Sequence, residues 1–119
     1  MVQVKRGTFF AKKTVCALGH KHDSKREAAR CAELQILFRA GQIDALAFEP
    51  QAWFEIDGVV VTHSNGRRAG YKADFAYVED GRVVWEDVKA SNGFVSRDVP
   101  LRMAIFRHLN PDIELRVIT

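Results

Sequence analysis

Asp87 and Lys89 stand two residues apart in the run Val83-Val84-Trp85-Glu86-Asp87-Val88-Lys89, and Asp74 interrupts a second apolar run, Tyr71-Lys72-Ala73-Asp74-Phe75-Ala76-Tyr77-Val78. Between the runs lies Glu79-Asp80-Gly81-Arg82, whose Asp-Gly pair signals a tight hairpin turn. Folding back there brings Asp74 beside the Asp87 end of the partner strand. Strand alternation sends Asp87 and Lys89 to one face and Glu86 to the other, away from any ligand role. A carboxylate set among apolar and aromatic neighbours is expensive unless a cation joins it. Magnesium is held by one or two carboxylates, with waters and phosphate oxygens completing its shell, so it suits this sparse set. Two carboxylates with a lysine alongside are the makeup of a metal-dependent phosphodiesterase site. Asp74 and Asp87 would bind the ion, and Lys89 would sit near the attacking water and the developing negative charge.

Each residue has a plainer reading. Asp74 and Asp87 alone would be solvated strand-edge groups. Lys89 could pair with Asp87 on a surface strand, a contact contributing about 0–1 kcal/mol. What favours chemistry is that all three fall on elements that meet.

Those elements can be read from the pattern. Residues 1–13 form a basic arm with Lys5, Arg6, Lys12 and Lys13 around Phe9-Phe10, and a short strand is expected over 14–18. Ser24-Lys25-Arg26-Glu27 is a capping box that opens a helix, which Gly41 ends. Ala29, Ala32 and Ile36 are expected on its buried face, with Cys31, Leu34, Leu37 and Phe38 nearby. Strands follow over 51–56 and 59–62, joined by Asp57-Gly58, then a polar, basic loop over 63–70 and the Asp74 and Asp87 strands. After a loop through Ser91-Asn92-Gly93, a second helix is expected from Asp98 to Leu109 with Pro100 in its first turn, and a last strand over 113–118. The order is that of an α/β domain with a central mixed sheet.

At 119 residues the chain makes one domain, 1–119, with ordinary hydrophobic (47%) and charged (28%) fractions. No apolar stretch is long enough to span a bilayer, and the first residues lack the core of a signal peptide, so a cytoplasmic protein is expected. The net charge of +3 permits a nucleic-acid partner. Lys25, Arg26, Arg67 and Arg68, together with Lys12 and Lys13, are the candidate phosphate contacts, though each could be an ordinary solvated charge. Cys16, His20, His22 and Cys31 fit no usual zinc spacing, and Cys31 reads as core. His63 and His108 are isolated and read as surface residues.

These pieces together resemble the PD-(D/E)XK nuclease superfamily, and within it small phage and prophage domains. The matching residues are Ser24-Lys25-Arg26-Glu27 at a helix start, Gln51 on a strand, Ala73-Asp74-Phe75, and Glu86-Asp87-Val88-Lys89. The likeness covers roughly residues 14–118. Ala73 stands in place of the proline that names the superfamily, and Ala90 where such domains often carry glycine.

The resemblance implies a restriction-endonuclease-like core of helix, three strands, helix, strand. It also implies a Mg²⁺-dependent DNA endonuclease, with Mn²⁺ as substitute, encoded by a phage or prophage and working in the host cytoplasm. It adds the backbone carbonyl of Val88 to the metal ligands, turns Glu27 into the site, and places Gln51 near water or substrate. For Glu27 the capping box is a complete rival role, and Glu33 is a weaker acidic candidate on another face. Branched DNA such as a Holliday junction is the substrate class that small members suggest. Paired cuts call for two sites, hence a homodimer. The rival reading of the whole chain is a DNA-binding or accessory protein that keeps the fold without turnover.

Overall fold

The computed structural model describes residues 14–15, 21–22, 25–89 and 96–119. The basic arm with Lys12 and Lys13, the Ser24 cap, Cys16, His20 and the loop with Ala90 lie outside the described residues.

A short antiparallel ribbon, β1 (Thr14–Val15) with β2 (Lys21–His22), precedes helix α1 (Lys25–Arg39). The helix closes on a Schellman motif: Gly41 takes φ 76°, its N–H donates to Phe38 O, and Gln42 N–H donates to Leu37 O. Its buried stripe is Glu27, Cys31 and Leu34, spaced as one face of a helix. The expected face is thereby corrected, since Ala29 is exposed and Ile36 is 64% exposed. Glu27 and Arg30 turn toward the protein, and a hydrophobic count along the helix passes over such positions.

The central sheet has the order β10-β9-β8-β3, formed by β3 (Asp44–Phe48), β8 (Phe75–Glu79), β9 (Arg82–Val88) and β10 (Glu114–Ile118). β3/β8 and β8/β9 are antiparallel, while β9/β10 is parallel, its crossover made by α2 (Val99–Leu109). Asp80 (φ 51°) and Gly81 (φ 77°) make the expected two-residue turn between β8 and β9. Helix α2 starts one residue later than expected, and Asp98 accepts from Arg102 Nε at 2.7 Å without capping.

On its edge away from β9, β8 pairs with β3, a strand the sequence pattern does not predict. β3 carries a bulge, with Ala45 at φ 53°, so it lacks a clean two-residue alternation. The 51–56 segment splits into β4 (Gln51–Trp53) and β5 (Glu55–Ile56). β5 pairs with β6 (Val59–Val60) through Asp57-Gly58, and β4 pairs with β7 (Gly70–Lys72). The single strand expected over 71–78 is likewise interrupted at Ala73–Asp74.

The two interruptions face each other. Glu49 N–H donates to Asp74 O and Ala73 N–H to Pro50 O, so the β3–β4 and β7–β8 segments bend together away from the sheet. The result is a wing of β4, β7 and the β5–β6 hairpin leaving the sheet at Asp74.

Two apolar layers flank the sheet. Cys31 and Leu34 of α1 pack on Phe48, Phe75, Tyr77 and Val84. On the opposite face Met103 and Phe106 of α2 pack on Ala76, Trp85, Leu115 and the wing residues Phe54 and Tyr71. The protein is thus a mixed α/β sandwich with α1 and α2 on opposite faces of a four-stranded sheet. Among the described residues no helix is long and apolar enough to cross a membrane.

Candidate active site

The β8–β9 register sets Phe75 opposite Glu86, which brings Asp74 to the level of Asp87. Asp74 N–H donates to Glu86 O at 2.9 Å, and Val88 N–H donates to Asp74 Oδ2 at 2.7 Å. The carboxylate at the bend is therefore held against the residue that separates Asp87 from Lys89.

Glu27 joins them from α1. Its residue is 7% exposed, and its carboxyl approaches that of Asp74 closely enough to perturb it. Burial, the negative charge of Glu27 and that of Asp87 push the Asp74 carboxyl well above the ordinary range, while the Val88 N–H opposes them. Asp87 lies on the α2 side, where Tyr71 OH donates to its Oδ2 at 2.7 Å. Burial, and then the Asp87 charge, raise the Tyr71 phenol too.

Three acids from three elements thus crowd one end of β9: the first turn of α1, the bend before β8 and the strand end. Among the described residues, no three His, Cys, Asp or Glu side chains close into a ready-made metal cage. The donors are all oxygens and the carboxylates repel one another. That set fits a hard divalent cation that takes few protein ligands and keeps its waters.

Lys89 follows directly. Its N–H donates to Ile118 O at 2.9 Å, extending the β9/β10 pairing past Val88, so alternation carries on to the Asp87 side. Its carbonyl accepts from Arg26 Nη1 at 3.4 Å, which ties the first turn of α1 to the same strand end. Lys25 beside it is exposed.

A groove of about 340 Å³ opens at Asp87, lined in part by Gln51, Trp53, Arg68, Lys72 and Arg102. Gln51 Nε2 donates to the carbonyls of Ala52 and Tyr71. Arg102 Nη1 donates to Gly70 O at 2.6 Å and so ties α2 to the wing. Arg67 is exposed in its loop, where its N–H donates to Asn65 Oδ1. It does not line this groove.

Trp53 and Arg102 are groove residues that sequence reasoning missed. No local signal set Trp53 apart, since it stands between Ala52 and Phe54 in a strand-like run. Glu33 is exposed and pairs with Arg30. Glu86 lies on the sheet face opposite Asp87, as expected. It is fully buried, accepts two hydrogen bonds from Arg30 at 2.9 and 2.7 Å and one from Tyr77 OH, and so belongs to the α1 side of the sheet.

No curated protein and no solved structure matches the chain. A family model does, over residues 6–119, and the chain belongs to the family described as "Protein of unknown function (DUF1064)".

Proposed function

We propose that this protein is a Mg²⁺-dependent endonuclease that hydrolyses phosphodiester bonds in DNA, on a restriction-endonuclease-like core. The observation that carries the reading is the meeting of Glu27, Asp74 and Asp87 from three separate elements, with Lys89 just past the end of β9. Crowded carboxylates destabilise a fold, and strain of this kind gathers at functional sites. The order of α1, sheet strands, α2 and β10 supports the same reading.

Asp74 and Asp87, with Glu27 and the carbonyl of Val88, would hold the ion. When bound, the ion supplies Lewis-acid polarisation of the phosphate and lowers the pKa of a water. The chain's own groups do the rest. The Val88 N–H fixes the Asp74 carboxylate, and Tyr71 fixes that of Asp87, so neither must reorganise as charge develops. Lys89 orients the attacking water and stabilises the extra charge on the phosphate oxygens. Arg68 and Lys72 at the groove, with Lys25 and Arg26 on α1, contact neighbouring phosphates.

The deciding experiment is cleavage of linear, single-stranded, flapped and four-way-junction DNA with Mg²⁺, Mn²⁺ or chelator. Metal-dependent cuts are expected. A protein that binds these DNAs and cuts none of them in either ion would instead be a binding or accessory module.

A further inference from the structure

The groove beside Asp87 has a wall the hydrolytic chemistry does not use. Trp53 is 42% exposed, and the Arg68 guanidinium carbon sits 5.4 Å from its ring centroid. Its cross-strand partner is Gly70. A Cβ on Gly70 would come within 2.3 Å of the Ala52 carbonyl oxygen and 2.9 Å of the indole, so the ring rests directly on the bare strand. Arg102 holds that strand through the Gly70 carbonyl, and Lys72, paired with Glu49 at 3.0 Å, lines the same groove. An anchored indole with a guanidinium over it, opening on a cationic cleft that ends at a carboxylate, suits a flat base with a phosphate attached.

We infer that the groove takes one unstacked nucleotide of the substrate, its base stacking on the Trp53–Arg68 layer and its phosphate facing Arg68 and Lys72. The inference rests on the nuclease reading for its position beside the cut. It adds a substrate class: DNA with an unpaired base at that point, whether single-stranded, flapped or branched. Stacking on an aromatic side chain is worth about 5- to 150-fold in affinity per base. In intact duplex a loss of similar size opposes it, because the base must first leave its stack. An already unpaired base keeps the whole gain, so the platform selects for it.

The test uses the full chain in Ca²⁺. Of the two tryptophans, Trp85 is 1% exposed, so contact quenching of fluorescence reports on Trp53. A single-stranded oligodeoxynucleotide should quench saturably, while duplex of the same sequence quenches little. Trp53→Ala should lose about 5- to 150-fold in affinity for the single strand and little for the duplex, and Trp53→Phe should restore most of it. Arg68→Gln, an exposed change, covers the case in which Trp53→Ala folds poorly, and it should also narrow the preference. Equal affinities for single strand and duplex in the wild type, or an unaltered preference in Trp53→Ala and Arg68→Gln, would overturn the inference. If such a protein still cuts DNA, the nuclease reading survives alone. Quenching by free mononucleotide without quenching by DNA overturns it as well. Selective quenching without cleavage of any DNA keeps the groove as a nucleotide site and removes the nuclease reading.

Discussion

The carboxylate of Asp74 accepts a hydrogen bond from the backbone N–H of Val88, 2.7 Å away. One acid of the site is thereby positioned by the main chain between the other acid and the lysine. Shape and charge at Asp74 can be separated by mutation, because an asparagine still offers an oxygen to that N–H.

Asp74→Asn and Asp87→Asn should each keep the fold and lose metal-dependent cleavage. Asp74→Ala also strips the Val88 N–H of its acceptor, and should unfold about 1–3 kcal/mol more easily than Asp74→Asn. Urea denaturation beside a cleavage assay tests both halves. Full cleavage by either asparagine variant in excess chelator would sink the metal mechanism.

Glu27→Gln should move stability and activity in opposite directions. Removing one of the crowded charges is expected to raise the melting temperature of the metal-free protein while cleavage slows clearly. In the wild type, Mg²⁺ should itself raise the melting temperature, by the equivalent of about 2.7 kcal/mol at a hundredfold excess over its dissociation constant. A variant matching wild-type cleavage at equal stability would assign Glu27 to helix capping alone.

Lys89→Ala separates catalysis from binding. If Lys89 acts on water and developing charge, affinity in Ca²⁺ should change little while the single-turnover rate in Mg²⁺ falls by ~10²-fold or more. A phosphate-holding lysine would instead weaken binding and flatten its salt dependence. The first pattern is expected, since Lys89 stands two residues from Asp87 whereas the groove carries other cations.

Arg30→Leu tests the opposite face. It would leave Glu86, at 0% exposure, buried without its cationic partner, which destabilises by about 3–5 kcal/mol. Glu86→Gln with Arg30 intact should cost less. Chemical denaturation measures both, and a near-neutral Arg30→Leu would show that Tyr77 suffices to hold the acid.

The chain should lose stability in alkali late. Burial and then the hydrogen bond to Glu86 push the Tyr77 phenol up to about 12. A value raised on folding means a contribution fully present below the unfolded value, near 10, and lost as pH rises toward about 12. Tyr77→Phe should lessen that limb of the stability profile, leaving the share of Tyr71, and tyrosinate absorbance should appear late in the folded wild type.

Much of this arrangement was legible in the chain. Asp80-Gly81 announced its turn, and that turn with two-residue alternation placed Asp74, Asp87 and Glu86 on their sides. The wing was not legible. β3 was missed because the bulge at Ala45 breaks its alternation, and the bend at Glu49–Pro50 and Ala73–Asp74 is a tertiary event that local pattern does not encode. The inward turn of Arg30 was hidden for a related reason: its partner Glu86 lies on the sheet, far away in sequence. Trp53 looked like any strand aromatic until its glycine partner and Arg68 were seen beside it.

Glu86 and Asp87 are neighbours of nearly the same chemistry, and a strand that slid by one residue would exchange their faces. The slipped chain would carry an acid toward α1 and an acid toward the groove, much as the correct one does. Two things tell them apart: Val84 and Trp85 would also trade apolar layers, and the clamps differ in reach, Arg30 and Tyr77 closing on the longer glutamate side chain and Tyr71 on the shorter aspartate. The buried ion pair on the far side of the sheet would thus add to the packing penalty on a chain assembled one step out.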